Sequence, residues 1–255
     1  MHSEYIREIT NSPIAVLMIH GIAGTPAHFR ELLPIIPENW SVHNILLDGH
    51  GKRVEDFGAS SMKKWKKQVK EKLHELFEKH KKVIIVAHSM GSLFAIQAAI
   101  DHPDKISNLF LLAVPLKIVM KLSTALTCIR VGLGNIKPDD TKALAMKNDT
   151  GIQLERKLWK YITWLPRMFE LLSESKRICK IISQLKVPCE TFQSRFDEFV
   201  SMRPCKLLDG NPYIRNTILM DSGHFAYGKD DISLLQSRLR ETIKIKLGEY
   251  QNDIR

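Results

Sequence analysis

The sequence predicts an α/β protein built on a mostly parallel sheet, and three observations predict it. Short apolar runs rich in Val and Ile recur along the chain, helical patterns separate them, and several runs are apolar on both faces. A strand buried on both sides shows no alternation of polar and apolar residues, which is the signature of a sheet covered by helices. Strand–helix alternation at this spacing leads to right-handed crossovers within one sheet.

In chain order, the strands are read at residues 14–20 (IAVLMIH), 41–47, 83–88, 107–114, 187–194 and 213–220. Helices are expected at 26–36, 61–82, 92–103 and 231–247. The second of these, SMKKWKKQVKEKLHELFEKHKK, spaces Met62, Trp65, Val69, Leu73, Leu76 and Phe77 three or four apart. That spacing makes one buried face and leaves the lysines on the wet side. Between 115 and 186 the alternation stops. Trp159, Ile162, Leu165, Phe169 and Leu172 form an apolar stripe there, and Pro166 is expected to kink or break the helix that carries it. We read 115–186 as a helical cap, or lid, inserted into a core made of 1–114 and 187–255.

With 255 residues, 44% hydrophobic and 26% charged, the chain has enough apolar content for one large domain. Its net charge of +10 raises nucleic acid and anionic membranes as partners. Much of that excess lies on the lysine helix, where no aromatic side chains interleave to stack bases. The expectation is therefore no specific nucleic acid and at most transient membrane-surface contact. The first residues lack the apolar stretch of a secretory signal, and no run approaches a membrane span. Cys128, Cys179, Cys189 and Cys205 are scattered, with no C-x-x-C pair. A cytoplasmic protein with reduced cysteines, no metal and no cofactor is expected.

The chemistry starts at VIIVAHSMGSLFAIQAA, residues 83–99. A buried strand ends at Ser89, small residues Ala87 and Gly91 flank it, and a helix begins at once. This is a variant of the G-x-S-x-G elbow, in which the tight turn strains the serine and tolerates only small neighbours two residues away. The hydroxyl then stands at a helix N-terminus, where developing negative charge is favoured.

A serine needs a base to take its proton. Among ten histidines, His224 in DSGHFAY follows the last strand, while His20 and His50 end earlier strands and His88 points away from its neighbour. The base in turn needs a carboxylate. Asp197 in QSRFDEFV is favoured over Glu198 and Asp221, because it follows the 187–194 strand and so lies near the same sheet edge as Ser89. The oxyanion hole is read as the backbone N–H of Met90 and that of Ile22, in the loop His20-Gly21-Ile22-Ala23-Gly24.

HGIAGTPAHFRELLP, LLDGHG, AHSMGS, SRFDEFV and SGHF together resemble the α/β-hydrolase superfamily, and within it the small bacterial carboxylesterases and the monoacylglycerol lipase group. Two departures are Ala87 for the usual first glycine and Asp48 where a proline–glycine turn is commoner. The resemblance implies the α/β-hydrolase fold, a cap over the active site, and an acyl ester substrate such as a monoacylglycerol. It implies the same Ser89, Asp197 and His224 as catalytic residues. The alternative on this fold is an amide or peptide hydrolase of the proline-iminopeptidase type, with Glu155, Glu170 or Glu174 holding a substrate amine. A low-turnover ligand-binding homologue is the reading of another class.

Overall fold

The computed structural model describes residues 3–252, apart from Lys121 and Pro204. Its strands are β1 (Tyr5–Arg7), β2 (Ile14–Ile19), β3 (Ser41–Ile45), β4 (Lys82–His88), β5 (Ile106–Leu112), β6 (Cys189–Ser194) and β7 (Ile214–Leu219). They form one sheet in the order β1-β3-β2-β4-β5-β6-β7. Every pairing is parallel except that of β1 with β3. The helices are α1 (Val54–Gly58), α2 (Met62–Lys79), α3 (Met90–Asp101), α4 (Leu122–Gly132), α5 (Thr141–Asp149), α6 (Leu165–Ile181), α7 (Cys205–Asp209) and α8 (Lys229–Asn252).

The apolar runs behave as their patterns require. In β2, Ala15, Leu17 and Ile19 join a core with α2, α3 and α6, while Ile14, Val16 and Met18 join a second core with α8. Successive side chains point to opposite faces, so a strand apolar at every position serves two cores at once. Of α2, Met62, Trp65, Val69, Leu73 and Leu76 are buried, and the Ser61 hydroxyl caps its first turn by accepting the Lys64 N–H.

Two elements differ from their sequence reading, and one break falls where it was expected. The helix expected at 26–36 is two 3₁₀ turns, Pro26–Phe29 and Leu33–Ile35. Pro34 lacks an N–H and crowds the preceding turn, so a continuous helix cannot form there. The helix of the Trp159–Leu172 stripe breaks at Pro166 as expected: a 3₁₀ stretch, Leu158–Trp164, gives way to α6, and the proline stands in the first turn of α6, where its missing N–H costs nothing. Strand β1 was not anticipated, because three half-exposed residues carry no burial pattern and exist as a strand only by pairing with β3.

Residues 115–186 contribute α4, α5 and α6 between β5 and β6. The inner face of α6, at Leu171, Ile178 and Ile182 with the turn that follows, returns to the core shared with α2 and α3. No helix among the described residues is long and apolar enough to cross a membrane.

Candidate active site

Because the strands from β2 to β7 are parallel, their C-terminal ends lie along one edge of the sheet. The loops after β2, β4, β6 and β7 carry the residues singled out in the sequence, and in open α/β sheets ligands bind at that edge.

Ser89 joins β4 to α3 as the N-cap of the helix, with φ 49° and ψ −120°. A non-glycine residue held there stores on the order of 1–3 kcal/mol of strain. The turn is fixed by the Ser89 N–H donating to the Leu112 carbonyl at 2.9 Å, and by the Ser92 N–H donating to the Ser89 carbonyl at 2.9 Å. Small neighbours are required for a visible reason. A Cβ at Gly91 would overlap the Ile19 carbonyl, and Ala87 is fully buried. The loop after β2 comes equally close: a Cβ on Gly21 would lie 2.9 Å from the Ser89 Cβ. Ile22 follows in that loop. Met90 is the first residue of α3, where backbone N–H groups point outward from the helix end.

His224 and Asp197 meet. The His224 Nδ1 donates to the Asp197 Oδ2 at 2.8 Å, with side chains 6% and 2% exposed. The other carboxylate oxygen accepts the N–H groups of Phe199 at 2.8 Å and Val200 at 2.7 Å, so the ring and two backbone donors fix its orientation. Neither rival acid, Glu198 or Asp221, bonds the His224 ring. Glu198 accepts the backbone N–H of His224 at 2.9 Å, and Asp221 donates its own N–H to Asp231 at 2.8 Å. The residue before Ser89 meets the base loop: the His88 ring lies 4.7 Å from that of His224 and its Nε2 donates to the His224 carbonyl at 3.2 Å. Phe199 and Phe225 flank the His224 ring at 5.2 and 4.7 Å.

The other histidines of this edge are structural. His20 hydrogen-bonds the Gly21 carbonyl through Nδ1 and accepts the Leu47 N–H through Nε2. Burial lowers His50 to a pKa of about 4 and takes His20 and His88 well below the ordinary value, neighbouring histidines adding to the effect for the latter two. A folded pKa depressed below the unfolded one means that the unfolded chain takes up protons first as pH falls. Their contribution to stability is complete above about pH 6.5 and is lost as pH falls below it, for His50 down to about 4. The thermal midpoint should therefore fall between pH 7 and pH 5, and an unchanged midpoint over that range contradicts the neutral burial of these rings.

Two further groups were not singled out in the sequence. His28 and Asp149, 121 positions apart, are buried and joined at 3.0 Å, and no local pattern marks that pair. Glu8, His43 and Glu75 also converge, their ligating atoms within 4.8 Å of one another. Lys72 and Lys79 already place ammonium groups 2.6 and 3.1 Å from Glu75, so the cluster is neutralised from within the chain.

On residues 115–186, the apolar stripe faces outward. Trp159 is 70% exposed, Ile162 67% and Phe169 67%, and on α4 Leu122 is 77% and Leu126 54% exposed.

The family model described as the alpha/beta hydrolase fold matches residues 14–127. A thermostable monoacylglycerol lipase of Bacillus sp. (strain H-257) is 30% identical over 95 residues, which are 37% of this chain and 38% of that protein. The chain thus matches well under half of the relative's length. Among solved structures, one from the study of LipS and LipT, metagenome-derived lipolytic enzymes, aligns over 95% of this chain and 98% of its own at 20% identity, with a TM-score of 0.73. The monoacylglycerol lipase of Paleococcus ferrophilus aligns over 94% of this chain and 99% of its own at 16% identity, with a TM-score of 0.66. At such identities the likeness is one of fold.

Proposed function

This chain has the α/β-hydrolase fold, and from that premise we propose that it is a serine hydrolase of carboxylic esters. The observation that carries the reading is the Asp197–His224 hydrogen bond at 2.8 Å, at the same sheet edge as a serine in strained elbow geometry. In this mechanism the Ser89 hydroxyl attacks the ester carbonyl while His224 accepts its proton at Nε2. Asp197 holds the ring by its Nδ1–H and stabilises the imidazolium. The oxyanion is bound by the N–H groups of Ile22 and Met90, each such donor being worth on the order of 10²–10³ in rate. His224 then protonates the departing alcohol, and water regenerates the serine through the same steps.

The substrate class we propose is an acyl ester with a hydrocarbon chain, a monoacylglycerol among them. The name of the Bacillus relative supports it, and so does the apolar outer surface of 115–186, proposed here as the cap. The amide-hydrolase alternative loses its support. Glu155 is paired with Lys160, Glu170 with Arg167, and Glu174 is 5% exposed between Lys66 and Arg177, so none of them offers a free charge to a substrate amine. A panel of p-nitrophenyl and glycerol esters beside aminoacyl amides tests the reading, with turnover of the esters expected. Faster amide turnover would falsify it.

The exposed stripe also suits transient contact with a lipid surface that holds such substrates. The protein should sediment weakly with anionic phospholipid vesicles at low salt, and the double variant Trp159→Ser/Phe169→Ser should not. Equal sedimentation of both would remove the stripe from that contact.

A further inference from the structure

Asp149 is the last residue of α5 and is 2% exposed. Its Oδ2 accepts the His28 Nδ1–H at 3.0 Å, while its Oδ1 accepts from Arg30 at 3.1 Å. A carboxylate can only accept, so the His28 Nδ1 carries a proton, and Nε2 is hydrogen-bonded to the Tyr227 hydroxyl at 3.1 Å. The His28 ring is stacked on His88 at 3.8 Å with the planes 27° apart. His88 precedes Ser89 and donates to the His224 carbonyl. A continuous line of buried contacts therefore runs from the 115–186 segment to the loop of the base.

The residues next to Asp149 press on the oxyanion loop as well. The Gly151 N–H donates to the Ala23 carbonyl at 2.8 Å, and Ala23 is held at φ 53°. A Cβ at Gly151 would overlap the Gly24 carbonyl. Next along, the Gln153 N–H donates to the Lys52 carbonyl at 2.8 Å. Burial pushes the Asp149 carboxyl up, but the His28 hydrogen bond and the Arg30 guanidinium outweigh it and hold it below the ordinary range.

The geometry points to Asp149 as a positioning residue of the reaction: through His28 and His88 it sets the loop that carries His224, and so couples the proposed cap to the catalytic edge. It never touches substrate. Removing an anchor of this kind displaces reacting groups by a fraction of an ångström, which is felt in the chemical step more than in binding.

This inference deepens the ester-hydrolase reading and rests on it for its kinetic arm. Asp149→Asn should lower kcat on a soluble ester about ten-fold, less than the roughly 10²-fold that a 1 Å misplacement costs. KM should stay near that of the wild type. His28→Gln should lose a similar factor, and the double variant no more than the worse single one, because both cut one line of contacts. Should Asp149→Asn not fold, His28→Gln carries the test alone. Losses that multiply in the double variant, or an unaltered kcat in both single ones, overturn the proposal.

A second arm needs no turnover. In ¹⁵N-edited imidazole spectra, Asp149→Asn should move the signals of His28, His88 and His224 and leave those of His43 and His80, which bind Glu8, in place. A change confined to His28 overturns it. A wild type that hydrolyses no ester would sink the functional reading, and the spectra would still decide the coupling.

Discussion

Ser89→Ala is expected to abolish ester hydrolysis, with a loss in kcat on the order of 10⁶ that leaves only the contribution of binding and the oxyanion donors. The cause is local. The hydroxyl stands at the N-terminus of a twelve-residue helix in a turn with φ 49°. The measurement is the intact mass of wild type and variant after treatment with a fluorophosphonate, run beside the hydrolysis assay. The wild type should gain one adduct and the variant none. Labelling of both, or of neither, removes Ser89 from the role of nucleophile.

The second large effect is expected at Asp197→Asn, where kcat should fall by about 10⁴. The Asn side chain keeps an oxygen for the N–H groups of Phe199 and Val200, so the loop should survive. What is lost is the charge that accepts the His224 Nδ1–H. An amide nitrogen there favours the wrong tautomer and no longer stabilises the imidazolium. Comparison of kcat with Glu198→Gln and Asp221→Asn checks the assignment, since Glu198 holds the backbone N–H of His224 and pairs with Lys142, and Asp221 is tied to Asp231 by its own N–H. If either of those variants is the more damaged, the acid lies elsewhere.

The two predictions differ in how far the sequence alone could take them. Ser89 was legible from its surroundings, because a buried strand, two small residues and a helix start all fall within seventeen positions. Asp197 was favoured by its place after a strand, but Glu198 adjoins it and Asp221 stands three residues before the histidine. Only the packing of β6 beside β7 turns Asp197, and neither of the others, toward Nδ1.

What the sequence by itself determined is therefore what short-range patterns encode. Doubly apolar runs made a parallel sheet, lysines alternating with apolar residues made a helix with one inner face, and small residues around a serine made the elbow. Chain order then put the serine, the acid and the base along one edge. Tertiary structure decided everything that depends on a distant partner. It made β1 a strand by pairing it with β3. It left Trp159 and Phe169 facing outward, because an apolar stripe says that a helix has a face and not what covers it. And it joined Asp149 to His28 across 121 positions, since a buried carboxylate must find its donor wherever the fold brings one.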